Sequence, residues 1–202
     1  MKNYSVFAID DDVVTSGKAF EYENIDDVVE QVFKIVKKII IDHNLGAFSI
    51  GGWSYGGVVA ILTALKLEVT GIEVNTVITF DSPIVKKSKP IEYSMVENLK
   101  SNGKDNLDEQ LIERSIDHFK KCTRLLNLFH SQFIYNNLHG MKSSLLEILP
   151  EDDCGQSNNS ENQKLSPRHT TFISPGDHWN MIFFPHSEKI KMTIENHFNK
   201  SN

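Results

Sequence analysis

With 202 residues, 40% of them hydrophobic and 24% charged, the chain has the length for one sizeable domain and the balance of a soluble globular protein. Its 21 Lys and Arg against 27 Asp and Glu leave a formal charge of −6, which argues against a phosphate-backbone binder, since that needs a basic face. The longest apolar run, Ile35 to Ile41, is broken by Lys37 and Lys38 and falls short of the roughly 20 residues that span a bilayer.

Tyr4 to Ile9 reads as a short strand ending in the acidic turn Asp10-Asp11-Asp12, with no signal peptide before it. Ile25 to His43 carries apolar residues at 25, 28, 29, 32, 35, 36, 39 and 40, the 3–4 spacing of an amphipathic helix. Asp26 and Asp27 sit in its first turn, where the helix dipole favours negative charge. Ala47 to Ile50 is a compact strand, Ala60 to Leu67 a helix, and Val74 to Phe80 a β-branched, buried strand. This β-α-β-α-β order predicts an α/β fold with a mostly parallel sheet and helices on both faces.

From Ile84 onward the pattern changes. Leu107 to Phe133 reads as one or two helices, and the segment from about 86 to 140 as a helical lid insertion. Its residues Phe119, Leu125, Leu126, Leu128, Phe129 and Phe133 are better read as the lid's own apolar face than as an acyl tunnel. Ser144 to Leu149 suggests a strand, Asp152 to Ser166 a polar loop, Thr170 to Ser174 a last strand and His186 to Phe198 a closing helix. Cys122 and Cys154 form neither a disulfide framework nor a CxxC metal motif, so a cytoplasmic, thiol-reduced protein without metal is expected.

The chemistry concentrates at Gly52-Trp53-Ser54-Tyr55-Gly56, a G-x-S-x-G pattern lying between a strand and a helix. A sharp strand-to-helix turn lifts the Ser54 hydroxyl above the strand ends. Small residues at 52 and 56 are expected where neighbouring backbone leaves no room for a Cβ. The backbone N–H of Tyr55, at the helix N-terminus, is the candidate oxyanion donor.

A serine nucleophile needs a histidine base, and that base an acid to fix its tautomer. Of the eight histidines, His43, His118, His130, His139 and His197 are read as surface or structural, and His169 precedes the last strand, on the wrong side of the sheet. His178 follows that strand on the tight loop Ser174-Pro175-Gly176-Asp177-His178, where a parallel sheet gathers its functional loops, and is the candidate base. His186 is read as capping or packing near the last helix. Two positions compete for the acid: Asp81, after the strand that follows the serine strand, and Asp152 or Asp153, after the later one. The stiff Asp81-Ser82-Pro83 turn favours Asp81.

Three ordered motifs, Gly51-Gly52-Trp53-Ser54-Tyr55-Gly56-Gly57-Val58-Val59-Ala60, Phe80-Asp81-Ser82-Pro83 and Pro175-Gly176-Asp177-His178-Trp179-Asn180-Met181-Ile182 with Pro185-His186, resemble the thioesterase domains that end nonribosomal peptide and polyketide synthases, within the α/β-hydrolase superfamily. The 27 residues from Ser54 to Asp81 also suit that family. The resemblance is weak through the lid. It implies a serine thioesterase (catalytic Ser54, His178 and Asp81) that takes an acyl or peptidyl chain from the phosphopantetheine of a partner carrier protein. Release then goes to water or to an internal nucleophile, with no cofactor of the chain's own.

The resemblance also implies an earlier strand whose glycine-containing loop supplies a second oxyanion N–H. The resemblance sets Tyr4–Ile9 as the strand after that one, so a sheet lacking it is expected, with a gap between Tyr4–Ile9 and Ala47–Ile50. That gap keeps a second expectation alongside the first: a catalytically impaired module that binds carrier or synthase partners without turnover. A carboxylesterase or lipase on the same triad is a third.

Overall fold

The computed structural model describes residues 5–10, 12–84, 109–132, 140–152 and 164–200. In chain order these form α1 (Asp12–Ser16), α2 (Ile25–Asp42), β1 (Ser49–Trp53), α3 (Tyr55–Val69), β2 (Thr76–Phe80), α4 (Glu109–Gln132), β3 (Ser144–Pro150), β4 (His169–Ser174) and α5 (His186–Lys200). The strands make a four-stranded sheet in the order β1-β2-β3-β4, every pair parallel. Of the segment expected as the lid, α4 and Gly140 are described; the rest of it, with Phe133 and His139, lies outside the described residues, as do Asp153 and Cys154.

α2 begins as its sequence dictates. Asn24 caps it, accepting from the Asp27 backbone while the Asp27 carboxylate accepts from the Asn24 N–H. Ile25, Val29, Phe33 and Val36 form its buried stripe, and each such side chain contributes about 1.5–3 kcal/mol on burial. The stripe meets α3, whose Val58, Val59, Ile61, Ala64 and Leu67 are all buried because the helix lies between the sheet and α2. At the rim Lys66 bonds Glu30, and this hydrogen bond holds the Glu30 carboxyl below its ordinary value.

The opposite face is covered by α5. Ile190 joins Ile78, Leu146, Ile148 and Met181 in a second cluster, so helices cover both sheet faces as the β-α-β order requires. In α4, Leu126 and Phe129 pack into the α2–α3 core and Leu125 is fully buried. These three expected lid residues therefore serve as core.

Two differences from the sequence reading concern β1. The expected strand at Tyr4–Ile9 does not form over the described residues 5–9: they join no ladder, and Val6 is 89% exposed. Between that segment and the outer edge of β1 lies a cavity of about 1620 Å³, walled by Val36 of α2, Ala60 of α3 and Ile194 of α5. With no strand beside it, Ser5–Ile9 has no backbone partner to make it a strand. The second difference is one of bounds. Asn75 N–H still donates to Phe48 O at 2.9 Å, so the pairing begins a residue before the regular ladder.

Candidate active site

Register brings the site together. Trp53 pairs with Phe80, Phe80 with Ile148, and Ile148 with Phe172, so these four positions lie level near the carboxyl ends of the strands. Ser54 and Asp81 are the next residues on two adjacent strands. Ser54 N–H continues the ladder to Phe80 O at 2.8 Å, and Asp81 N–H continues it to Ile148 O at 2.8 Å. Both then turn sharply, with φ of 53° at Ser54 and 41° at Asp81. A non-glycine residue held in such a conformation costs on the order of 1–3 kcal/mol, and such strain clusters at functional sites.

At the serine turn the chain passes from β1 into α3 within one residue. A Cβ on Gly52 would lie 2.2 Å from Gly56 O, as the motif requires. The second crowded position is not Gly56, which has nothing within 4 Å, but Gly57, where a Cβ would sit 1.8 Å from Ser82 Oγ. The expectation of crowding at 56 is corrected accordingly. The glycine that matters is the one that lets α3 approach the Asp81-Ser82-Pro83 turn. That turn is tied down further by His130 of α4, whose Nε2 lies 2.9 Å from Pro83 O.

The histidine loop after β4 is fixed by its own side chains. Asp177 Oδ1 accepts from the backbones of Trp179 (2.8 Å) and Asn180 (2.9 Å), while Asn180 Oδ1 accepts from the Asp177 N–H at 2.9 Å. His178 is thereby directed back across the end of β3, and its Nδ1 lies 2.5 Å from Asp81 Oδ2. The two side chains are 18% and 21% exposed, so the pair is largely withdrawn from solvent. Its other nitrogen, Nε2, is buried without a hydrogen-bond partner. Ser54 is 7% exposed. Its neighbour Trp53 donates from Nε1 to the His178 carbonyl at 3.1 Å, which puts serine and histidine at the same end of the sheet.

The other candidates fall elsewhere. Asp152, after β3, is exposed, and the carboxylate at His178 is that of Asp81. His169 stands at the start of β4, away from the site, with Nε2 3.0 Å from Glu147 Oε2 and both side chains almost fully buried. His118 lies beside Cys122 and Phe20, and His43 against Phe7, in structural settings. His186 opens α5 and packs near Gly176. Sequence reasoning missed Gly57, the Asp177–Asn180 lock and the buried Glu147–His169 pair. Of these only the lock had a local signal, Asp and Asn three residues apart in a turn. Among the described residues no three His, Cys, Asp or Glu gather to hold a metal ion, and no helix is long and apolar enough to cross a membrane.

A parallel sheet clothed by helices on both faces, with a serine at its strand-to-helix turn beside a His–Asp pair, is α/β-hydrolase-like. A model of the thioesterase domain matches residues 16–198, and the chain belongs to that family. Solved structures agree in fold. The NocB thioesterase domain, in covalent complex with a fluorophosphonate nocardicin G analogue, is 18% identical with a TM-score of 0.68, covering 88% of this chain and 75% of that one. The Vlm2 thioesterase domain bound with a dodecadepsipeptide is 18% identical with a TM-score of 0.69, over 92% and 78% of the two chains. The SrfTE thioesterase domain, which cyclises the lipopeptide surfactin, is 20% identical with a TM-score of 0.61, over 88% and 77%. No curated protein matches the sequence.

Proposed function

We propose that this chain is a serine thioesterase that releases an acyl or peptidyl chain from a phosphopantetheine-bearing carrier protein through an acyl-Ser54 intermediate. One observation carries the reading: the Asp81–His178 pair at 2.5 Å stands at the same strand ends as the positive-φ serine. Family membership supports it.

In the first step Ser54 Oγ attacks the thioester carbonyl while His178 Nε2 takes its proton. Asp81, bonded to Nδ1, holds the tautomer that leaves Nε2 open to accept and stabilises the imidazolium that forms. The tetrahedral oxyanion accepts from the Tyr55 N–H at the start of α3, where the helix dipole adds to the attraction. Collapse breaks the C–S bond, and the imidazolium proton leaves with the pantetheine thiol. Water or an internal nucleophile then gives its proton to His178 and attacks the ester, freeing Ser54. No cofactor of the chain's own enters these steps.

The test is incubation with an acyl-pantetheine thioester followed by mass spectrometry of the peptide carrying Ser54. The expected result is one acyl increment on that residue, absent in Ser54→Ala. Folded protein that never carries the increment would overturn the proposal. The open edge of β1 supports a second reading, a module that binds carrier domains without turnover. It predicts carrier binding unchanged in Ser54→Ala and no hydrolysis by the wild type.

A further inference from the structure

A single hydrogen bond does not fix an imidazole. Asp81 holds one atom of the His178 ring, Nδ1, and that contact alone leaves the ring free to swing about it, which changes where the unpartnered Nε2 points. Two aromatic side chains close off this motion. The Trp53 indole lies over the imidazole with centroids 4.8 Å apart and planes 32° from parallel. Trp179 meets the same imidazole at 5.0 Å and 86°, edge to face. Trp179 is in turn backed by Phe119 of α4 at 5.9 Å. Trp53 also grips the backbone of the same residue, its Nε1–H donating to the His178 carbonyl at 3.1 Å.

We propose that Trp53 is a positioning residue that locks His178 to the nucleophile. The inference rests on the serine–histidine reading above. Trp53 precedes Ser54 directly in the chain, so the histidine ring and its carbonyl are both tethered to the residue that sets the serine's position. The Ser54-to-His178 geometry then depends on one side chain and one peptide unit rather than on the whole loop from 175 to 180. A planar indole over the ring serves a second purpose during turnover. Its electron-rich face attracts the imidazolium that appears when His178 holds the Ser54 proton. A large residue on that strand end would fill space equally well as leucine. The indole adds a donor aimed at a carbonyl and an aromatic face tilted 32° over the imidazole, and these two features make positioning a separate claim from packing.

The experiment compares wild type, Trp53→Phe and Trp53→Leu by three readouts. These are the rate of Ser54 labelling by a fluorophosphonate, kcat and KM on an acyl-N-acetylcysteamine thioester, and the low-field proton resonance of His178 Nδ1–H. Trp53→Leu loses donor and face together and is expected to fall about 10–100-fold in labelling and kcat, with KM changed less than about 3-fold. Its low-field resonance is expected to broaden or vanish. Trp53→Phe keeps a face and loses only the donor, so it is expected to fall about 3–10-fold and to keep the resonance. Folded Trp53→Leu that labels within about 2-fold of wild type, or whose loss lies wholly in KM, would overturn the proposal. Should Trp53→Leu fail to fold, Trp53→Phe decides, and equality with wild type counts against it. Wild type that neither labels nor turns over would sink the hydrolytic reading alone. The resonance would then still decide the positioning, by its loss or retention on removal of the indole.

Discussion

Ser54 and Asp81 meet the same local demand twice. Each follows the last ladder residue of its strand, donates one more backbone hydrogen bond to the neighbouring strand, and then reverses direction at positive φ. The reversal lifts the side chain off the sheet, and its cost is met by the buried ladder beneath. Glycine is required only where a neighbouring segment crowds in. A methyl group at Gly57 would collide with Ser82 beside Asp81, whereas at Gly56 it would meet nothing. Gly57→Ala is therefore expected to lower the thermal midpoint and slow Ser54 labelling, because the turn carrying Asp81 must move. Gly56→Ala is expected to match wild type in stability or exceed it by up to about 1 kcal/mol, since alanine is the better helix former. Thermal denaturation of the two variants checks the order, and the opposite ranking would contradict it.

At the scale of elements, two fastenings hold β4 against β3. The first is the strand register that levels Phe80, Ile148 and Phe172. The second lies at the far end of β4, where His169 and Glu147 pair in the sheet interior, 4% and 2% exposed. Burial makes this pair more sensitive to loss of one partner than to loss of both. Glu147→Leu and His169→Leu are each expected to cost about 3 kcal/mol in urea unfolding, and the double variant less than their sum. Single variants within about 1 kcal/mol of wild type would contradict the argument. The sequence Ser144-Leu-Leu-Glu-Ile-Leu-Pro150 marks a buried strand but says nothing of what Glu147 faces, because its partner lies 22 residues away. Local signals fared better where the cause was local. The 3–4 apolar spacing of Ile25–His43 appears as α2, with Ile25, Val29 and Val36 of the expected stripe buried, Phe33 joining them and Ile35 left exposed. Tyr4–Ile9 shows the converse: a short apolar run becomes a strand only where a neighbouring edge is within reach, and residues 5–9 face a cavity instead.

At the scale of the molecule, the site is a product of topology. Parallel strands joined by helices send every strand-to-helix turn to one end, so motifs at 54, 81 and 178 meet although 97 residues separate Asp81 from His178. The order of those motifs was legible because each couples a strand end to a turn residue. The aromatic contacts of Trp53 and Trp179 were not, since packing angles leave no trace in spacing. The proposed chemistry requires that Ser54 be acylated by way of a base that Asp81, rather than Asp152, holds in place. The most direct measurement is the rate at which an acyl-pantetheine thioester acylates Ser54 in wild type, Asp81→Asn and Asp152→Asn, followed by intact-mass spectrometry. The expected result is a loss of at least about 10²-fold in Asp81→Asn and a rate within about 3-fold of wild type in Asp152→Asn, whose side chain is solvent-exposed. A greater loss in Asp152→Asn, or acylation of the wild type at any residue other than Ser54, would contradict it.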